Sequence, residues 1–147
     1  MEFSDAIGPI LKQKGLVWSM SPSASVYDAV VTMAEKSVGA LLVMEDDKLV
    51  GILSERDYAR KVVIRGRSSK DTEIREIMSS PVIFVTPRHT VGDCMRIITE
   101  NRIRHLPVLE GERVVGVISI GDLVNWMMQA QQETIRHLEA YITGMSS

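Results

Sequence analysis

The feature that most constrains this chain is an internal repeat. Displaced by 65 residues, the segment Pro22–Tyr58 falls on Pro87–Leu123 without a gap, and 11 of the 37 paired positions are identical. Among them are Pro22/Pro87, Val26/Val91, Asp28/Asp93, Leu41/Leu106, Val43/Val108, Gly51/Gly116, Ser54/Ser119 and Asp57/Asp122. Average composition would give about two identities by chance. Positions that differ stay apolar together: Met33/Ile98, Met44/Leu109, Leu49/Val114, Ile52/Val117 and Leu53/Ile118. Two copies are too few to stack as a solenoid, so they must cover each other. A length of 147 residues suits such a pair of half-size units sharing a core.

Both copies read alike. Ser25-Val-Tyr-Asp28 and Thr90-Val-Gly-Asp93 are N-terminal caps. They open helices expected to end near Lys36 and Asn101, with inner faces Val26, Ala29/Val30, Met33 and Val91, Met95, Ile98. A short apolar strand follows in each copy, Ala40–Met44 or His105–Leu109, then a polar turn and a second strand, Leu49–Ser54 or Val114–Ser119. Another helix is expected from Ser54 and from Ser119. A short β-like stretch precedes each copy, Leu16–Met20 and Val82–Thr86. Residues 4–14 suggest a short helix limited by Pro9, and Ile64–Asp71 a linker. Thr72–Met78 suggests one or two helical turns. The last helix is expected from about Asp122 to Ile142, ending at Gly144, with the stripe Leu123, Met127, Ile135, Leu138 and Ile142.

Composition narrows the function. Net charge is −2, so a basic stripe tracking a nucleic-acid backbone is not expected, and Lys61, Arg65, Arg67 and Lys70 read as a solvated face. Apolar runs of about five residues are far short of a membrane span. The first residues lack the character of a signal or transit peptide. Cys94 is the only cysteine, which fits a reducing compartment, and cytoplasmic location is the expectation. Cys94 pairs with Ala29 and reads as a small core residue. His89 and His137 have no metal-ligand company. Trp18 and Trp126 suit either an interface or the core.

At the second strand–helix junction each copy carries Gly-h-h-Ser-x-x-Asp, as Gly51-Ile-Leu-Ser-Glu-Arg-Asp57 and Gly116-Val-Ile-Ser-Ile-Gly-Asp122. Within a β-α-β-β-α unit this resembles the CBS domain, named after cystathionine β-synthase. The resemblance covers roughly residues 16–130. With Glu55–Lys61, Gly66–Lys70 and Arg104–Val108 it extends to small stand-alone bacterial and plant single-pair CBS proteins. It implies an α/β fold of two β-α-β-β-α repeats related by a pseudo-twofold axis, with a short N-terminal helix and a long C-terminal helix. The corresponding division is residues 1–15 (N-terminal helix), 16–65 (repeat 1), 66–79 (linker and lead-in helix), 80–130 (repeat 2) and 131–147 (helical extension).

The same resemblance implies adenosine ligands, AMP, ADP or ATP, in clefts shared across the pair, with no catalytic residue, metal or resident cofactor. NAD(H) or S-adenosylmethionine is the alternative ligand, and an adaptor with empty clefts the alternative role. A ribose diol suits a carboxylate that accepts both hydroxyl protons. Phosphates suit a hydroxyl, N–H groups at a helix start, and bases. One cleft would join Ser54, Arg56 and Asp57 to Thr86, Val91, Ile103, Arg104 and His105. The other would join Ser119 and Asp122 to Ser21, Val26, Val38 and Gly39. Arg56 aligns with Gly121, Arg104 with Gly39 and His105 with Ala40, so the first cleft gathers more cation. Ser54…Asp57 and Ser119…Asp122 have the same spacing as plain helix caps, and read alone they are caps. No paired carboxylates or activated nucleophile accompany the slot, which disfavours a nucleotide hydrolase. The expected partners are a nucleotide, a second copy of the chain and a regulated protein, with neither membrane nor nucleic acid.

Overall fold

The structure, a computed structural model, describes residues 3–12 and 17–143. Helix α1 (Gly8–Leu11) precedes strand β1 (Ser19–Met20), helix α2 (Val26–Lys36) and the hairpin β2 (Ala40–Glu45) and β3 (Lys48–Ser54). Helix α3 (Glu55–Tyr58) continues as a π-helical turn over Ala59–Val63, and a 3-10 turn covers Ile74–Glu76. Repeat 2 supplies α4 (Val91–Asn101), the hairpin β4 (His105–Glu110) and β5 (Arg113–Ser119), and the 24-residue α5 (Ile120–Thr143). Strand β1 runs parallel to β2, and β2 antiparallel to β3.

The repeats match down to their irregularities. Each hairpin has a register shift at the same aligned place, Val43/Met44 and Val108/Leu109. Ser37 and Arg102, paired in the alignment, both end their helices in the left-handed region at φ 54° and 53°. The N–H of Glu55 reaches the Gly39 carbonyl at 3.1 Å, and the N–H of Ile120 reaches that of Arg104 at 2.9 Å. Asp28 N–H donates to Ser25 Oγ, and Asp93 N–H to Thr90 Oγ1, so both helices open on the expected caps. The Thr90 N–H and hydroxyl, with the Arg96 guanidinium, lower the pKa of Asp93.

Where the chain departs from expectation, the reason is hydrogen bonding to the other parts of the fold. The N-terminal helix is only four residues long. Residues before it are drawn out: Ala6 bridges Thr90, Ile7 N–H donates to the His89 carbonyl, and the Val91 and Gly92 N–H groups donate to Asp5 and Phe3 carbonyls. The first strand shortens to Ser19–Met20, and Leu16 lies outside the described residues, as does Gly144. In repeat 2 the matching stretch makes one parallel bridge, Val85 to Val108, and no longer strand.

The linker serves repeat 1 as the N-terminal segment serves repeat 2. Ile74 N–H donates to the Ala24 carbonyl, Arg75 N–H to that of Pro22, and Val26 N–H to that of Thr72. These mirror Ile7 to His89, Gly8 to Pro87, and Val91 to Asp5. Residues 5–11 thus correspond to 72–78, displaced by 67 instead of 65. Leu11 presses on Gly116 and Met78 on Gly51, so tightly that a Cβ on either glycine would meet the side chain at 2.8 and 2.5 Å. A larger residue there would force the Leu11 and Met78 side chains to shift, which suits a glycine at both mid-strand positions.

Two cores result. One contains Ile7, Ile10, Val85, Val91, Cys94, Ile98, Leu106, Val108, Ile118 and Leu123. The other contains Val26, Ala29, Met33, Leu41, Val43, Leu53, Val62, Ile74 and Ile77. Trp18 and Trp126 pack at their margins, with Lys36 over the Trp18 ring. The start of α5 covers the N-terminal segment, but Ile135, Leu138 and Ile142 are exposed, so the distal half does not fold back over Ile7 and Ile10.

Ile7 and Ile74 hold equivalent, fully buried places in these cores. Ile7→Ala and Ile74→Ala should each destabilise the protein by about 2–5 kcal/mol in urea unfolding. A loss under about 0.5 kcal/mol, the level of ordinary surface changes, would mean that the segment is not part of the core. Burial raises the Cys94 thiol to about 11, so it stays a thiol at neutral pH. A disulfide-exchange reagent should therefore fail to react with the folded protein and react fully in urea; rapid reaction without denaturant would contradict the burial.

Candidate functional site

Each Ser-x-x-Asp turn closes on itself. Ser54 Oγ accepts from Asp57 N–H at 3.2 Å, while Asp57 Oδ2 accepts from Ser54 N–H at 2.9 Å and from the Ser54 hydroxyl at 3.0 Å. Ser119 N–H donates to Asp122 Oδ2 at 2.7 Å and Asp122 N–H to Ser119 Oγ at 3.1 Å. Both are capping boxes, as the residue spacing alone implies. Asp57 has a further partner: Lys61 Nζ lies 3.2 Å from its Oδ1 and also donates to the Ile77 carbonyl at 2.9 Å. A carboxylate offers about four acceptor sites, so Oδ1 keeps capacity for another donor.

A cleft of about 460 Å³ opens beside the Asp57 turn, between the repeats. Repeat 1 contributes Gly39, Ile52, Ser54, Glu55, Arg56, Asp57, Arg60 and Lys61. Repeat 2 and its approach contribute Ser79, Pro81, Val82, Ile83, Arg102, Ile103, Arg104 and His105. Arg56 Nη1 donates across the boundary to the Arg102 carbonyl at 3.2 Å. Five Lys/Arg residues (Arg56, Arg60, Lys61, Arg102, Arg104) face two acids, Glu55 and Asp57. Val82, Ile83, Ile52 and Ile103 give the same cleft an apolar wall. The size lies within the range of small-molecule sites, and the mixture of apolar wall and convergent charge suits a flat ring carrying anionic groups.

The second cleft, about 240 Å³, is smaller and nearly without charge. Leu11, Val17, Trp18, Ser37, Val38, Gly39, Ala40, His105, Val115, Gly116, Val117 and Ser119 line it. Gly39 and His105 belong to both clefts and partition them: a Cβ on Gly39 would lie 3.4 Å from His105 Cε1.

The first cleft therefore unites Ser54, Arg56, Asp57, Ile103, Arg104 and His105 of the nominated residues. It does not include Thr86, whose N–H and hydroxyl are bonded to His89 Nδ1, nor Val91, which is sealed in the core of repeat 2. The second unites Val38, Gly39 and Ser119. Val26 is sealed in the core of repeat 1, Ser21 turns to Ser23, and Asp122 lies outside the cavity in its cap. Two helix-opening valines point inward because their inner-face position, not the cleft, sets their direction. Arg60, Lys61 and Arg102 were missed. Arg60 and Lys61 follow Asp57 by three and four residues and share its helical face. Arg102 is the left-handed residue that turns the chain into the cleft wall, a conformation non-glycine residues adopt where the surroundings impose it. Two other members of the basic run are engaged elsewhere, Arg67 with Glu76 and Lys70 over the Tyr27 ring.

The fold and this junction define a class, and comparison with known proteins bears on it directly. The CBS domain family model matches residues 17–64 and 74–129. The chain belongs to the CBS domain family and is a tandem CBS pair. It is 40% identical over 152 residues to the mitochondrial CBS domain-containing protein CBSX3 of Arabidopsis thaliana, spanning 96% of this chain and 73% of that one. A candidate signal-transduction protein with CBS domains from Burkholderia ambifaria superposes with a TM-score of 0.83 at 46% identity, covering 86% of this chain and 96% of that one. A hexameric CBS-CP12 protein from bloom-forming cyanobacteria superposes at 0.73 with 28% identity, covering 97% and 90%. No helix among the described residues is long and apolar enough to cross a membrane.

The caps make a prediction independent of any ligand. Ser54→Ala and Ser119→Ala should each cost about 0.5–2 kcal/mol of stability in nucleotide-free protein. Unchanged urea midpoints would contradict a structural role for these hydroxyls.

Proposed function

We propose that this chain is a non-catalytic regulatory module that holds an adenine nucleotide, AMP, ADP or ATP, in the Asp57 cleft and relays its occupancy to a partner protein. The observation that carries this reading is the convergence, in one cavity of suitable size, of the Ser54/Asp57 turn with five cations drawn from both repeats. The apolar wall takes the adenine, Asp57 Oδ1 the ribose hydroxyls, and Arg56, Arg60, Arg102 and Arg104 the phosphates. Charge-assisted bonds of that kind contribute roughly 1.5–3 kcal/mol each, less where water reaches them. S-adenosylmethionine, which carries a sulfonium cation, suits this cleft less well than a phosphate ester does. The second cleft is weaker by the same reasoning, being smaller and lined by no Lys, Arg, Asp or Glu.

A ligand that bridges both repeats favours the geometry in which Arg56 meets Arg102, and so changes what the surface offers to a partner. The working form we propose is a homodimer, consistent with the oligomeric cyanobacterial neighbour, and the setting is the cytoplasm, in keeping with a single cysteine.

Adenine nucleotide should raise the melting temperature; at one hundred times the dissociation constant the stabilisation is about 2.7 kcal/mol. Asp57→Ala should abolish the tighter site in calorimetry and Asp122→Ala leave it in place. No response to AMP, ADP, ATP or NAD at millimolar concentration would favour the empty adaptor, and a response to NAD alone would reassign the ligand. Loss of the tighter site in Asp122→Ala would reverse the order of the clefts.

A further inference from the structure

Helix α5 carries two separate apolar faces. With 100° between successive residues, Leu123, Trp126, Met127, Ala130 and Thr134 share one sector. This sector meets the chain's own body: Leu123 is buried, Trp126 and Met127 pack on the core of repeat 2, and Ala130 and Thr134 line a groove with Phe3 and Asp5. Val124, Met128, Gln131, Ile135, Leu138 and Ile142 lie about 100° further round the helix. Their spacing is four, three, four, three and four residues. That alternation averages 3.5 residues and marks the a and d positions of a coiled coil, unlike the broader stripe of a helix lying on a globular core. The five apolar members all stand in solvent, Met128 and Leu138 at 57% and Ile142 at 78% exposure.

We propose that this seam pairs with the same seam of a second copy of the chain, as a short parallel coiled coil. The proposal rests on the homodimer put forward above and gives it a location. Three observations select a second copy. First, Gln131 is the only polar residue in the seam. In parallel register it meets the Gln131 amide of the other chain, and each can donate to the other's carbonyl; in the antiparallel alignment that matches all six residues, it would face Ile135 and be buried without a partner. Second, the flanks do not repel. In parallel register Thr134 lies beside Glu139 of the second copy and Met127 beside Gln132, so no like charges are opposed. Third, between Ile120 and Thr143 the ionised residues are Asp122, Glu133, Arg136 and Glu139, an acidic set unlike the Lys/Arg-rich face of a helix lying on a lipid surface.

The extent is sufficient. From Val124 to Ile142 the helix rises roughly 27 Å. Two such seams bury on the order of 1,000 Å², the threshold for a specific interface and the size of a reversible one. No residue of α5 lines either cleft, so the seam is separate from both.

Sedimentation velocity on the full chain, with the double variant Ile135→Asp/Leu138→Asp beside it, tests the location. The expected result is a concentration-dependent species of twice 16.4 kDa for the unmodified chain and a monomer throughout for the variant, with the same circular dichroism and melting of the repeats. Leu138→Cys tests the register: mild oxidation should link two copies covalently, since d-position pairs come within disulfide reach, whereas His137→Cys should not. A dimer that survives the double variant would overturn α5 as the interface while leaving the homodimer standing. A monomeric unmodified chain would overturn both. A dimer lost in the double variant but not linked through Leu138→Cys would overturn the parallel register.

Discussion

The arrangement that everything else depends on is the docking of two short segments, residues 5–11 and 72–78, by matching backbone hydrogen bonds. Ile7 N–H to the His89 carbonyl and Ile74 N–H to the Ala24 carbonyl are the defining pair. Each segment drops two isoleucines into the core of one repeat, and each lays a flexible side chain across a strand glycine. The segment serving repeat 1 follows it directly in sequence. The segment serving repeat 2 comes from the other end of the chain, ahead of repeat 1 in sequence. The core of repeat 1 is thus complete within residues 18–78, whereas that of repeat 2 is complete only with Ile7, Ile10 and Leu11 from the other end of the chain.

That docking explains the site. Repeat 1 ends in α3 and its π-helical turn, which bring Arg56, Arg60 and Lys61 to one wall; the docked linker sets Ser79 to Ile83 along the floor; repeat 2 presents Arg102 to His105 opposite. Lys61 touches both Asp57 and the Ile77 carbonyl, so the carboxylate turn and the docked segment share one cation. The second cleft follows the same plan with different residues. Gly121 replaces Arg56 and Gly39 replaces Arg104, while Leu11 and Trp18 occupy the lining. One architecture thus yields a charged cleft and an apolar one, which share Gly39 and His105 as a wall.

Much of this was legible in the sequence because the gapless repeat carries it. The hairpins, the helices α2 and α4, their caps and the burial of Cys94, which aligns with Ala29, all follow from local periodicity and alignment. The docked segments were hidden by two residues: Ile7/Ile74, Ile10/Ile77 and Leu11/Met78 align only at a displacement of 67, beyond the gapless block. Their pairing across the chain has no local signature. The site showed the same division. Ser54, Arg56, Asp57, Ile103, Arg104 and His105 come together as the family resemblance implied, whereas Val26 and Val91 belong to the cores, since the first residue of each helix is set by its inner face. Arg60 and Lys61 required knowing that the helix after Ser54 continues, and Arg102 that the chain turns left-handed at that point.

The proposed role of the Asp57 cleft, holding an adenine nucleotide, is open to a direct test. Native mass spectrometry of the intact protein, taken gently from the cells that made it and then titrated with ATP, tests it most directly. The expected result is a complex of nucleotide mass, first populated at one nucleotide per chain and absent from a variant in which Arg56 and Arg104 are both replaced by alanine. A bare chain at every ATP concentration, or equal binding by that double variant, would contradict it.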